Sequence, residues 1–186
     1  MKQIAIFLLV VMASCSSNET GQKDSADATT TTQSNIDEQP AKTIIDFLKW
    51  YRTHQLLDSA IVKGGEGAGE YSMNFDEVEK YCSALLATHF VSATYIEKRH
   101  DFFDKCEKNF KANRAYEGPP EGFESDLIML SQEYDVNLQN IEKSKVVSQS
   151  ISDNVATIKI QFMQGNALTY KLTKYGDAWA IDDIAR

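Results

Sequence analysis

Few residues of this 186-residue chain belong to the types that build metal sites or disulfide frameworks. It has only three histidines, three cysteines and three prolines. His54, His89 and His100 show neither the i, i+3 or i+4 spacing nor the H-E-x-x-H pattern of zinc sites. A G-x-S-x-G motif is absent, and no cysteine has a histidine partner indicated by spacing. We therefore expect no bound metal or cofactor and see no motif of a nucleophilic hydrolase.

Basic residues and long apolar runs are also scarce. The 19 lysines and arginines are outnumbered by 27 acidic residues, for a formal net charge of −8. Nucleic acid is not an expected partner, because its recognition needs a dense basic surface. The longest apolar run, residues 4–12, falls well short of the roughly 20 residues that span a bilayer. The sequence therefore predicts no transmembrane helix.

The N-terminal residues have the order of a secretory signal. Lys2 precedes the apolar run, and the small pair Ala13-Ser14 follows it. With the next residue, the segment Met12-Ala13-Ser14-Cys15 resembles the bacterial lipoprotein box, although the first position is usually leucine. The resemblance implies a signal peptide over residues 1–14 and acylation of Cys15, which would tether the chain to the membrane by lipid. A plain secretory signal or a short anchor is the alternative.

Residues 15–39 predict a tether between this anchor and a domain. The segment is rich in Ser, Thr, Asn, Gln and Asp, and Ile36 is its one large apolar residue. Such a composition buries too little surface to offset the entropy of ordering. Ser16 after Cys15 resembles an outer-membrane address facing the periplasm, with exposure on the cell surface as the open alternative. The remaining residues, 40–186, have the length of one domain.

Three segments in the first half of this domain have helical periodicity. Pro40 suits a first helical turn, and the apolar spacing after it predicts a helix over residues 40–57. A second helix is predicted over residues 76–88, and a third begins at a Ser92 or Thr94 cap. The glycine-rich residues 64–69 predict a mobile loop, because they lack the Lys-Ser/Thr ending of a phosphate-binding loop.

Cys82 and Cys106 fall on the second and third of these helices. If the pair is antiparallel with a turn near residues 90–92, Cys106 lies roughly 9 Å along the axis from the position that faces Cys82. Bridged Cα atoms lie within about 7 Å. Two buried free thiols are therefore favoured, with a disulfide as the alternative.

After residue 145 the apolar period changes to two. Residues 156–162 and 168–173 alternate between apolar and polar side chains, and turn signals occur at residues 152–154, 165–166 and 176–177. The pattern predicts an antiparallel meander that ends over residues 179–184. Helices followed by a one-faced antiparallel sheet indicate the α+β class.

Several segments together resemble a known family. Phe47-Leu48-Lys49-Trp50-Tyr51, residues 90–96, residues 126–133 and residues 179–184 are similar to the DUF3828 family of bacterial envelope proteins, whose domain is similar to the NTF2-like (cystatin-like α+β) cone. The resemblance covers most of residues 40–184. It implies three N-terminal helices packed on a curved antiparallel sheet, with a concavity that holds a small ligand, catalytic groups or a partner in related folds. It implies no particular activity.

Two groups of residues are candidates for a site in that concavity. The carboxylates are Asp126, Asp182 and Asp183, and neighbouring strand residues such as the last two are expected to point to opposite faces. The aromatic candidates share helical or strand spacing that core packing also explains; they are Trp50, Tyr51, Tyr81 and Trp179.

The hypothesis favoured by the sequence is a lipid-anchored envelope protein whose domain does no chemistry. On its concave face it would bind a small apolar ligand or another envelope protein. A small isomerase or hydratase that uses the same pocket is the alternative. An inward Asp182 or Asp183 within about 3.2 Å of a tyrosine hydroxyl, beside an empty apolar cavity, would favour the enzyme. A concavity filled by side chains would favour a structural or inhibitor-like module.

Overall fold

The architecture is α+β, with helices first and an antiparallel sheet last. The computed structural model describes residues 39–54, 60–115 and 117–186. The predicted signal peptide, Cys15 and nearly all of the predicted tether of residues 15–39 lie outside the described residues. The described elements are, in chain order, α1 (Ala41–Arg52), β1 (Val62–Gly65), β2 (Gly69–Met73), α2 (Phe75–Ala87), α3 (Ala93–Asn113), α4 (Tyr134–Gln139), a 3₁₀ helix (Ile141–Lys143), β3 (Lys145–Ser152), β4 (Val155–Gln161), β5 (Ala167–Tyr175) and β6 (Ala178–Ala185).

The predicted meander is confirmed as a four-stranded antiparallel sheet of order β3-β4-β5-β6. The alternation of β4 and β5 places one set of side chains in the core and the other on the outer face. The outer face includes Thr157, Lys171 and Thr169, whereas the buried set comprises Ala156, Ile158, Ile160, Leu168, Tyr170 and Leu172. The inner face of the sheet therefore forms one core with the buried faces of the helices.

One irregularity in β6 lies at its acidic residues. Leu172 pairs with Ile181, but the preceding Lys171 pairs with Asp183, so Asp182 is an extra residue in the ladder. Ile181 and Ile184 are both buried as a result, and the two aspartates lie between them. The bulge interrupts the regular alternation of β6 at Asp182, a feature that the expectation of opposite faces for Asp182 and Asp183 did not include.

The layout of the helices differs from the three predicted. Helix α1 ends at Arg52, five residues before the expected end, and a short fourth helix with a 3₁₀ turn precedes the sheet. Residues 64–69, predicted as a loop, belong instead to the β1–β2 hairpin. Gly64 has φ +93°, and a Cβ there would lie 2.2 Å from the Glu70 carbonyl oxygen. Only glycine fits this close approach, so the cluster serves the hairpin turn.

Helix α3 begins where the chain leaves the edge of the sheet. Val91 forms a parallel bridge with Ile181 of β6, held by a 2.9 Å bond from Ser92 N to Ile181 O. Ser92 then caps α3 by accepting a 3.2 Å hydrogen bond from the Tyr95 backbone N–H. Of the two predicted caps, Ser92 is therefore the one used.

Between the sheet and the helices the core is dominated by large aromatic side chains. Six of them are less than 2 % exposed: Phe47, Tyr51, Tyr81, Tyr95, Phe103 and Tyr170. Cys82 and Cys106 are buried in the same core as free thiols. In the described part of the chain, no helix has the length and apolar character needed to cross a membrane.

Candidate functional site

Of the predicted site residues, Tyr51 and Asp126 are brought into direct contact. The Tyr51 hydroxyl donates a 2.5 Å hydrogen bond to Asp126 Oδ2. Asp126 Oδ1 accepts two more, from the backbone N–H of Ile128 at 3.0 Å and of Met129 at 2.5 Å. The carboxylate thus holds the turn that follows it and ties that turn to α1. Sequence analysis named both residues but did not pair them, since 75 positions separate them.

The electrostatic setting of Asp126 has opposing causes. Burial raises the pKa of this carboxyl above its ordinary value, and the hydrogen bonds from Tyr51, Met129 and Ile128 act against that rise. Each oxygen accepts at least one protein hydrogen bond. The arrangement is therefore that of a structural carboxylate, whose lone pairs are directed at protein donors.

Two further tyrosines lie near this carboxylate in the core. The hydroxyls of Tyr95 and Tyr170 are buried and have no hydrogen-bond partner among the described residues. Burial raises the pKa of Tyr95 to about 12 and raises that of Tyr170 well above its ordinary value. Both phenols therefore stay protonated at neutral pH. The Tyr81 ring, a predicted site residue, is buried and packs edge-on against Phe103 with centroids 6.0 Å apart.

The aspartates of β6 are held by side chains of other elements. Asp182 accepts hydrogen bonds from the hydroxyls of Ser92 at 2.5 Å and Thr173 at 2.6 Å. Asp183 forms an ion pair with Lys98 of α3 at 2.9 Å. These contacts join the start of α3 to the last strand. The two carboxylates therefore have a role in packing α3 on the sheet.

The two tryptophans occupy different environments. Trp179 is 7 % exposed and belongs to the core. Trp50 is half-buried on α1, and its ring stacks on His54 with centroids 4.5 Å apart. Among the described residues, the hydrogen bonds that Asp126 and Asp182 accept come from neither tryptophan.

A groove that sequence analysis missed lies on the surface beside the start of α3. It has a volume of about 720 Å³ and is lined by the end of α2, the link to α3 and the β5–β6 hairpin. Most of the lining is apolar, and the full set is Ser83, Leu86, Ala87, His89, Val91, Ser92, Ala93, Tyr175, Ala178 and Ala180. Leu86 and Tyr175 are 43 % and 55 % exposed. Pockets of this size with an apolar lining and a few polar groups are typical of ligand sites.

One signal in the sequence pointed to this groove. Leu85 and Leu86 are adjacent apolar residues of α2, and adjacent helical residues lie about 100° apart around the axis. Only one of them faces the core, and Leu85 is that residue. The exposed Leu86 therefore marked a second apolar surface, but its partners on the β5–β6 hairpin lie about ninety positions away.

Among the residues that the structure describes, no three His, Cys, Asp or Glu side chains are grouped closely enough to hold a metal ion. Comparison of the chain with family models, with curated proteins and with solved structures gives no match. The site is therefore defined by its own geometry: an α+β domain with a core rich in buried aromatic side chains and an apolar groove on its surface.

Proposed function

We propose that this chain is a non-catalytic binding protein of the bacterial cell envelope, and that it binds a small apolar ligand in the groove between α2 and the β5–β6 hairpin. The groove carries the proposal, because it combines a volume of about 720 Å³ with a mainly apolar lining and exposed Leu86 and Tyr175. His89 at its border would orient a polar end of the ligand.

The proposed fold of the domain over residues 40–186 is an NTF2-like cone, with helices on the concave side of a curved sheet. The α+β order and the antiparallel meander support it. In this proposal the ligand does not enter the cone itself, because buried aromatic side chains occupy the space between sheet and helices.

The proposed location is the outer membrane, facing the periplasm, with the domain held by acylated Cys15 and the tether of residues 15–39. The sequence Met12-Ala13-Ser14-Cys15 supports it. The formal charge of −8 argues against attachment through anionic lipid headgroups, so lipid at Cys15 is the proposed contact with the membrane.

The contacts of the carboxylates favour binding over an isomerase or hydratase. A general base must accept a proton from the ligand within about 3.2 Å. Asp126 accepts three protein hydrogen bonds, and Asp182 accepts two. Their oxygens are engaged by the protein, which suits residues that brace the fold.

Binding of the neutral apolar dye N-phenyl-1-naphthylamine tests the proposal. The protein is the chain without residues 1–14 and with Cys15→Ala, so that no detergent is needed. We expect saturable fluorescence enhancement. The affinity for the dye should be at least tenfold lower in Ala87→Trp, because the larger side chain fills the groove. Ala112→Trp is the matched control, since Ala112 is also exposed on a helix but lies outside the groove. Equal binding by both variants would contradict a site in the groove.

A further inference from the structure

A second pocket lies between α3, the loop before α4 and the residue that follows β6. It has a volume of about 230 Å³, and its lining includes Arg99, Phe102, Glu124, Asp126 and Arg186. Ser125, Leu130 and Arg186 also line an adjoining pocket of about 550 Å³. The two pockets meet at these shared residues, so a group held in the smaller one has room to extend into the larger.

Arg99 is held in position by protein contacts on several sides. Its guanidinium carbon lies 4.9 Å from the centroid of the Tyr95 ring and 5.8 Å from that of Phe102. Nη1 donates a 3.2 Å hydrogen bond to the Leu127 carbonyl oxygen, whereas Nε is buried with no acceptor among the described residues. A buried hydrogen-bond donor of a charged group is stabilised when it has an acceptor. Arg99 is thus a planar cation held in a fixed orientation at the border of the pocket.

Arg186 is the second cation of the pocket. It donates to the Leu130 carbonyl oxygen. Neither Arg99 nor Arg186 forms an ion pair with an acidic residue in the described part of the chain, although acidic residues outnumber basic ones in the sequence. Two guanidinium groups that border one pocket without acidic partners are suited to a carboxylate, which arginine binds through paired hydrogen bonds.

The same pocket also carries negative charge. Glu124 is exposed, and its Oε2 accepts a 3.0 Å hydrogen bond from the Gly122 backbone N–H. The Asp126 carboxylate is engaged by Tyr51 and two backbone N–H groups. A bare anion would meet these carboxylates as well as the arginines. A ligand with charges of both signs would match the two arginines and the exposed Glu124.

We propose that this pocket binds a small zwitterion of the amino-acid type, with its carboxylate at Arg99 and Arg186 and its ammonium group towards Glu124. The adjoining pocket would take the side chain or the next residue. This site is separate from the apolar groove, so its failure would leave the proposed function in place.

Titration of the mature chain in its Cys15→Ala form with L-alanine, followed by NMR, tests this site. We expect saturable shifts of the signals of Arg99 and Arg186. Acetate and ethylamine, which each carry one of the two charges, should bind at least tenfold more weakly. If acetate bound as tightly as L-alanine, the proposed preference for a zwitterion would be wrong. If L-alanine gave no saturable shifts, the proposal that this pocket is a binding site would be wrong.

Variants separate the site from general effects on the fold. Arg99→Gln and Arg186→Gln should each lower the affinity for L-alanine at least tenfold. Arg186 is exposed and follows the last strand, so Arg186→Gln leaves the contacts of α3 intact. This variant therefore still tests the site if Arg99→Gln does not fold. Arg114→Gln is the control, because Arg114 is 75 % exposed and its ion pair is with Glu70, outside the pocket. Unchanged binding in Arg186→Gln would overturn the proposal.

Discussion

The Ser92 hydroxyl donates a 2.5 Å hydrogen bond to Asp182 Oδ1 and accepts one of 3.2 Å from the Tyr95 backbone N–H. One side chain therefore caps α3 and joins that helix to the bulged residue of β6. Asp182 also accepts from Thr173 on the neighbouring strand. The contact thus couples the start of the longest described helix to the end of the sheet, beside the apolar groove.

Loss of this contact should destabilise the domain. Ser92→Ala removes an N-cap, which costs about 1 kcal/mol, and a hydrogen bond to a carboxylate of comparable or greater strength. We expect a decrease of about 2 kcal/mol or more in the free energy of unfolding, measured with urea at pH 7. Ser83→Ala, at an exposed position on α2, should change it by less than about 0.5 kcal/mol. Equal effects would show that the capping contact contributes little.

Tyr51→Phe should raise the pKa of Asp126. Burial already raises this pKa, and the Tyr51 hydrogen bond opposes the rise, so its removal leaves burial less opposed. Titration of the Asp126 carboxyl by NMR measures the change, with Tyr175→Phe as an exposed control. A pKa that stays the same or falls would contradict the role given to Tyr51.

The same shift has a consequence for stability against pH. A carboxyl whose pKa is higher in the folded state contributes stability that is complete below its unfolded pKa, about 3.9, and is lost as the pH rises through the folded value. Tyr51→Phe should enlarge the loss between acid and neutral pH. Unfolding with urea across that window checks the sign, and a variant that loses less stability than the wild type on going to neutral pH would contradict it.

The strand register predicts unequal costs for substitutions on the two faces of the sheet. Trp179 is 7 % exposed in the core, so Trp179→Ala should cost about 3 to 5 kcal/mol. Thr169 lies on the outer face of β5, where it pairs with Lys159 and Ala185. Thr169→Ala should cost well under 1 kcal/mol. Thermal and urea unfolding measure both, and similar losses would contradict the register.

The two core cysteines should be unreactive in the folded protein. Burial raises the pKa of both Cys82 and Cys106 to about 11, and only the thiolate reacts. Relative to an ordinary thiol, the thiolate fraction at pH 8 falls roughly 100-fold, before the effect of steric access is counted. In the Cys15→Ala form, a disulfide-exchange reagent should therefore label both thiols quickly in guanidinium and very slowly without it. Rapid labelling of the native protein would contradict their burial.

The anchor is tested by partition between detergent and water. Wild-type chain expressed in a bacterium should enter the detergent phase, because acylated Cys15 carries its lipid. Cys15→Ala should stay uncleaved at the lipoprotein site or be found in the aqueous phase. Equal partition of the two forms would contradict lipidation.

The sequence alone predicted the parts of this protein that local periodicity determines. Alternation in β4 and β5 and the turn signals at residues 152–154 and 176–177 identified the antiparallel meander. Successive side chains of a strand point to opposite faces, so alternating apolar and polar residues indicate a strand with one buried face. The helical spacing likewise identified α1, α2 and α3, and Ser92 was one of two caps proposed. The hairpin at residues 64–69 was missed, since its glycines suit a turn as well as a loop.

Only the tertiary structure decided which distant residues meet. Tyr51 and Asp126 are 75 positions apart, and Ser92 and Asp182 are 90 apart, so no local pattern links either pair. The bulge at Asp182 depends on how β6 pairs with β5, and no local pattern in the sequence indicated it. The groove arises in the same way, since Leu86 and Tyr175 come together only when the β5–β6 hairpin packs beside the end of α2. Periodicity specifies which side of an element faces the core, whereas packing between elements determines which neighbours each side chain has there.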